Sequence, residues 1–366
     1  MVDRSTDPAR PLIPRGIVVA VDLRDPRRAL EPELLEFEAL IEAAGARVVD
    51  RIVQRRDAVD PATLVGEGKA REIALRAAEL PADALFFLND LRPRQRKNLE
   101  KIIALPIVDR TMLILDVFAR HARSREGKLQ VELAQLRYRQ SRLMGTGVDL
   151  SRLGGGIGSR GPGETKLETD RRRIQERVSV LTRQIEDVRR QRAVRRQAPH
   201  REPLVALVGY TNVGKSSLQN ALARTDTFVA NQPFATLDPT VRRAYLAPGR
   251  YIRLADTVGF ITDLPEDLIT AFRATLEELR DADILIHVLD AGNPDWPRQR
   301  LAVERLLQEL GIESAPRLLA FNKSDAIVGE PPHEPGAIAV SARTGAGLDA
   351  LRSAILERIP EQGIGT

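Results

Sequence analysis

The sequence contains no cysteine, which excludes disulfides, thiolate metal ligands and a thiol nucleophile. Long hydrophobic runs are missing too. Stretches such as Ile284 to Leu289 fall far short of the about 20 apolar residues needed to cross a bilayer, so no membrane span is expected. Asp3, Arg4 and Asp7 open the chain with no apolar block behind them, and this N-terminus does not read as a secretory signal. Together these absences predict a cytoplasmic protein and leave peripheral attachment to a membrane open.

What is present is a chain of 366 residues, 43% hydrophobic and 29% charged, the balance of a globular protein. Domains commonly run about 100 to 200 residues, so more than one core is expected. The formal net charge is +5, but its location matters more than its size. His121 to Arg201 holds 20 Lys and Arg against 9 Asp and Glu, which leaves the rest of the chain net acidic. A basic segment of this kind suits a polyanionic partner.

Residues 1–120 alternate between strand-like and helix-like patterns. Gly16 to Asp22 is a buried-strand run, and Leu30, Leu34, Phe37, Leu40 and Ile41 recur at helical spacing before Gly45. Strands near 48–53, 84–88 and 107–109 and helices near 69–79 and 94–103 complete a small parallel sheet flanked by helices. Gly66-Glu67-Gly68-Lys69 is too short for a phosphate loop and reads as a turn capping the next helix. This N-terminal subdomain is read as a scaffold or docking domain.

Residues 121–201 read as a basic antiparallel helical hairpin. Leu129, Leu133, Leu136 and Leu143 share one side of the first helix, with Arg137, Arg139 and Arg142 mostly outside it. In the second, from about Glu168, Ile174, Val178, Leu181, Ile185 and Val188 step as a coiled-coil seam does. Between them, 144–163 is so dense in glycine that a flexible loop is predicted. Gly156-Ile157-Gly158-Ser159-Arg160-Gly161 matches a dinucleotide pattern, yet no strand precedes it, so that reading is rejected. Arg152, Arg160 and Lys166 would let the loop follow an RNA backbone; a solvated charged face is the alternative. Only Tyr138 is nearby, which gives base stacking no support there.

From residue 202 onward the sequence is organised around Gly209-Tyr210-Thr211-Asn212-Val213-Gly214-Lys215-Ser216, with the apolar run Leu204 to Val208 before it and a helix opening at Ser217. Glycines let backbone N–H groups wrap a phosphate, Lys215 would reach the β- and γ-phosphates, and Ser216 would place its hydroxyl on Mg²⁺. Thr236 is the candidate γ-phosphate sensor and third metal ligand, with Thr240 its rival. Asp256-Thr257-Val258-Gly259 ends a strand; Asp256 would hold Mg²⁺ through a water, and Gly259 would offer its N–H to the γ-phosphate. In Asn322-Lys323-Ser324-Asp325 the Asp325 carboxylate can accept from guanine N1–H and N2, a donor pair adenine lacks. Lys323 would lie over the base, Asn322 would brace the phosphate loop, and the backbone of Ser341-Ala342-Arg343 would meet guanine O6. Four such motifs in order, each after a strand, predict GTP as substrate and GDP as product.

Phe260 stands where Ras-like proteins place the glutamine that orients the attacking water, and a phenyl ring cannot do this. Intrinsic hydrolysis is therefore expected to be slow, with the missing help coming from a macromolecular partner or a monovalent cation. Asn212 resembles the residue of GTPases that bind K⁺ beside the phosphates.

With these residues in view the chain resembles the HflX family of ribosome-associated GTPases. The resemblance rests on Gly155 to Thr165, on Leu167-Glu168-Thr169-Asp170-Arg171-Arg172, on the phosphate loop, and on Phe234-Ala235-Thr236-Leu237-Asp238-Pro239-Thr240. It implies an α/β protein: an N-terminal α/β subdomain, a helical hairpin, then a G domain over 202–366 with a mostly parallel sheet of about six strands. It also implies binding to the large ribosomal subunit and its rRNA, stimulation of hydrolysis by the ribosome, and in some members splitting of stalled ribosomes; separately, a monomer is expected. Some relatives bind ATP in the N-terminal domain, where no phosphate loop is visible here. Many members carry a further C-terminal domain, whose contacts are not expected of this chain. Two rivals remain, an ATP-dependent RNA remodeller and a regulatory switch acting on a protein partner.

Overall fold

The computed structural model describes residues 14–25, 29–151, 162–196, 202–225, 233–234, 240–261, 277–312, 315–327, 329–330, 332 and 334–359, with backbone alone over 143–151, 162–167, 189 and 191–196. The chain divides into two compact units, Met1–Val117 with Arg139–Arg172, and Phe118–Tyr138 with Arg173–Thr366. This division runs through both long helices, whereas the sequence pattern places boundaries after residues 120 and 201.

In the first unit β1 (Arg15–Asp22), β2 (Arg47–Arg55), β3 (Ala84–Phe87) and β4 (Ile107–Asp109) form a parallel sheet in the order β2-β1-β3-β4. Ile17 to Val21 are buried because a central parallel strand is covered on both faces. The covering helices are α1 (Leu30–Ala43), α2 (Glu67–Glu79) and α3 (Pro93–Ile102), followed by α4 (Arg110–His121). Helix α1 ends in a Schellman arrangement, the N–H of Ala46 donating to Ile41 O and that of Gly45 to Glu42 O. Gly66 is the N-cap of α2.

Two long helices follow, α5 (Arg125–Ser151) and α6 (Pro162–Arg196). They are joined by buried Leu133, Leu181 and Ile185, flanked by Leu129, Leu136 and Val178. Arg177 adds a two-pronged ion pair to Glu132 at 2.7 and 2.9 Å. One expectation is corrected: the non-helical stretch does not extend over 144–163. Helix α5 passes through Gly145 and Gly147, since an isolated glycine costs a helix only about 1 kcal/mol. Helix α6 opens on Pro162, whose fixed φ suits a first helical position. Residues 152–161, with Arg152 and Arg160, lie outside the described residues.

The second unit carries a six-stranded sheet in the order β10-β9-β8-β5-β7-β6. Its strands are β5 (Leu204–Gly209), β6 (Thr240–Ala247), β7 (Arg250–Asp256), β8 (Ile284–Asp290), β9 (Arg317–Asn322) and β10 (Ala337–Ala339). All neighbours are parallel except β6 with β7. Helices α7 (Lys215–Ala223), α8 (Trp296–Glu309) and α9 (Leu348–Arg358) complete the unit. Strand β5 has β7 on one side and β8 on the other, so the chain order reverses beside it. At such a switch point a crevice opens outside the carboxyl ends of the strands.

Candidate active site

That crevice is where the sequence motifs gather. Gly209 ends β5, Asp256 ends β7 and Asn322 ends β9; Ser341 lies two residues beyond β10. The phosphate loop runs from β5 into α7 and is anchored from β7 by a bridge between Tyr210 and Phe260. Thr211 N–H donates to Phe260 O at 2.8 Å, and Phe260 N–H to Gly209 O at 3.1 Å. Two glycines are dictated by close approach. Gly214 has φ 91°, and a Cβ there would stand 2.3 Å from Asn322 Nδ2. A Cβ on Gly259 would fall 2.9 Å from the Thr211 Cα and 3.2 Å from Lys215 Nζ.

Lys215, the first residue of α7, is 6% exposed. Its ammonium donates to Gly209 O at 3.0 Å and Tyr210 O at 2.7 Å. Burial pushes its pKa down to about 8, against the opposing pull of Asp256. Ser216 Oγ donates to Asp256 Oδ2 at 2.5 Å. A hydroxyl and a buried carboxylate in contact are hard oxygen donors of the kind Mg²⁺ takes. Among the described residues no group of three or more His, Asp or Glu is placed to hold a metal. Ser217 sits half-buried in the first turn of α7. Thr236 and residues 262–276 lie outside the described residues.

At the other end of the crevice Asn322 is buried and binds in three directions. Its Nδ2 donates to Val213 O at 2.9 Å and Gly214 O at 3.4 Å, and its Oδ1 accepts the N–H of Ala342 at 3.0 Å. Lys323, at φ 63°, donates to Asn212 O at 2.8 Å and to Asp290 Oδ2 at 2.7 Å. The segment after β9 is thus hydrogen-bonded to the phosphate loop. Asp325 Oδ1 accepts the Ser341 hydroxyl at 2.5 Å, and its Oδ2 pairs with Arg343. The Ser341 hydroxyl, then its own backbone N–H and Arg343, hold its carboxyl below the usual carboxylate range against the opposing effect of burial. A carboxylate offers about four lone pairs, so acceptor sites remain on Asp325.

Two residues of this arrangement are not foreseen from the sequence. Asp290 holds Lys323 while its Oδ1 accepts the N–H of Gly292 at 3.0 Å; a carboxylate closing an apolar strand is the one available signal. Buried Gln219 on α7 donates to Thr240 O at 2.6 Å and Leu254 O at 2.8 Å, fixing the helix to β6 and β7. Its place in the sequence, an ordinary helix position, gives no signal.

Residues 31–119 match the family described as GTP-binding GTPase N-terminal, 121–198 the GTP-binding GTPase Middle Region, and 204–323 the 50S ribosome-binding GTPase family. The GTPase HflX of Caldanaerobacter subterraneus is 46% identical over 93% of this chain and 79% of its own length. That of Escherichia coli K12 is 45% identical over 89% of this chain and 79% of its own. A crystal structure of SsGBP with GDP is 23% identical, covering 94% of this chain and 98% of its own at a TM-score of 0.52, a likeness of fold. The chain belongs to the HflX family of GTPases.

Proposed function

We propose that this GTPase engages the large ribosomal subunit through its basic two-helix arm and uses GTP hydrolysis to time its release. The observation that carries the reading is the crevice itself: Asn322 and Lys323 are hydrogen-bonded to Val213, Gly214 and Asn212, so one nucleotide can be gripped at base and phosphates together. The match of 204–323 to a family described as 50S ribosome-binding, and the excess of Lys and Arg over 121–201, support the partner.

In this reading Asp325 accepts from the guanine edge, Lys323 covers the ring, and the backbone from Ser341 to Arg343 meets O6. The loop from Gly209 to Ser217 cradles the phosphates, with Lys215 on the β- and γ-oxygens. Ser216, Asp256 and Thr236 would hold Mg²⁺, which supplies neutralisation of phosphate charge. Water attacks the γ-phosphorus, the bond to the β–γ bridging oxygen breaks, and GDP and phosphate leave. Gly259 N–H follows the γ-phosphate. Phe260 is 3% exposed and bridged to Tyr210, so it holds the loop and cannot orient water. Water positioning is left to the ribosome and to K⁺ beside Asn212, whose side chain is exposed. Splitting of stalled ribosomes belongs to the same reading.

The test is GTP turnover with and without purified large subunits, in KCl and in NaCl. Stimulation by subunits, greater in KCl and lost in Lys215→Ala, is the expected result. Turnover indifferent to subunits sinks the partner, and equal turnover in both salts sinks the cation.

A further inference from the structure

The strands that bring Asp256 into the crevice also build a surface the nucleotide does not use. Strand β6 is the last of its sheet; Val241, Arg243 and Tyr245 point outward while Ala244 and Leu246 are buried. In the antiparallel register Tyr245 stands opposite Tyr251 and Arg243 opposite Arg253. The two rings meet edge to face, centroids 5.6 Å apart, and the Arg243 guanidinium lies over the Tyr251 ring at 3.7 Å. Glu202 fixes both arginines, its carboxylate accepting from Arg243 Nε at 2.7 Å and its carbonyl from Arg253 Nε at 3.2 Å. Two of the four tyrosines in the chain therefore share one sheet face, with Tyr245 39% exposed.

We propose that this outward face of the β6–β7 pair is a docking surface for single-stranded RNA. The charge on these strands selects the partner. On this face stand Arg243 and Arg253, with the Glu202 carboxylate against Arg243, while Asp256, the one carboxylate of the strands, is buried in the active site and Arg242 turns to the opposite face, where it donates to Asn220 Oδ1 at 3.0 Å. A phosphate backbone complements such a surface. The rings select the form of RNA: an unstacked base can lie on Tyr245, beside a tyrosine already covered by a guanidinium, whereas the bases of a duplex are buried in their own stack. Glu202, Arg243 and Tyr251 are held against one another, so little ordering is left to binding. Base stacking thus has a place on the second unit, although the helical arm has little aromatic content. That the RNA is ribosomal rests on the function proposed above; the surface itself does not.

The experiment uses the full chain, a fluorescent single-stranded RNA of ten mixed nucleotides, and a duplex of the same sequence. Wild type should prefer the single strand. Tyr245→Ala should weaken that binding by about five- to 150-fold, the range of one lost base stack, while Tyr245→Phe retains it. Because Tyr245 is exposed, both variants should keep wild-type GDP affinity, which serves as the check on folding. An affinity for the single strand within twofold of wild type in Tyr245→Ala overturns the proposal, as does equal binding of duplex. A photocrosslinking amino acid at position 245 then separates partners on purified large subunits. Capture of rRNA supports the surface, and capture of ribosomal protein alone overturns it. If single-strand binding depends on Tyr245 but the chain fails to co-sediment with subunits, the surface stands and the ribosomal reading falls. If the chain co-sediments while Tyr245 is dispensable for RNA, the ribosomal reading stands and the surface falls.

Discussion

At the scale of single residues, Asp290 helps tie the segment after β9 to the phosphate loop. Its carboxylate takes the N–H of Gly292 on one oxygen and the Lys323 ammonium on the other, and the same ammonium reaches Asn212 O. Asp290→Asn keeps the shape and an acceptor for Gly292 but removes the charge facing Lys323. A charge-assisted bond to a group about one-third exposed is discounted for screening, so nucleotide release should quicken by about five- to tenfold with the fold intact. Stopped-flow release of a fluorescent GDP analogue measures this, and a rate within twofold of wild type would leave Asp290 without a positioning role. His287 makes a different prediction. It is 2% exposed in β8, its Nε2 has no hydrogen-bond partner among the described residues, and burial first, then Arg300, Arg317 and Lys215, pushes its pKa from 6.5 down to about 3. The unfolded chain binds this proton more readily than the fold. Stability should therefore be level above pH 6.5 and fall as pH drops from there toward 3. Between pH 6.5 and 4.5 this one group should remove about 2 kcal/mol. Urea midpoints across that range should decline less steeply in His287→Leu than in wild type.

At the scale of elements, the packing of α5 on α6 can be separated from nucleotide chemistry. Leu181 is fully buried in the cluster that joins the two helices. Leu181→Ala should cost about 2 to 5 kcal/mol of local stability. Hydrogen exchange should quicken in peptides covering 129–136 and 178–185, and subunit binding should weaken, while GDP affinity stays unchanged. Loss of GDP binding in this variant would show that the arm and the crevice are not separable. The same scale shows what a sequence can display. Parallel strands such as β1 and β5 are legible because burial on both faces leaves an unbroken apolar run, and the seam of α6 is legible because coiled-coil spacing repeats. The end of α5 is not, because composition alone cannot tell isolated glycines inside a helix, at 145 and 147, from the run at 154–156. The placement of the motif residues at the crevice is legible because each motif directly follows an apolar strand run in the sequence. Asp290 and Gln219 are not, because each acts through a partner distant in sequence, Lys323 in one case and the carbonyls of Thr240 and Leu254 in the other.

At the scale of the whole molecule, the question is how much of the basic arm is available to a polyanion. Part of its charge is already engaged: Arg142 pairs with Asp109, Arg177 with Glu132 and Arg190 with Asp187. Arg171, Arg172 and Arg173 are exposed together at one stretch of α6. If these three meet phosphates, each contact releases condensed counterions, and the logarithm of affinity falls with the logarithm of salt by about 0.7 to 0.9 per contact. Replacing all three by glutamine should then lower subunit affinity and also flatten its salt dependence, by a slope of about 2 to 3. Co-sedimentation across a KCl series measures both quantities in one experiment. A weakened complex with an unchanged slope would mean that the substitutions act through the helix and not through phosphate contacts. An unchanged affinity would place the ribosomal contact elsewhere on the chain. The flattened slope is the decisive outcome, because loss of packing or of folding lowers affinity at every salt concentration alike.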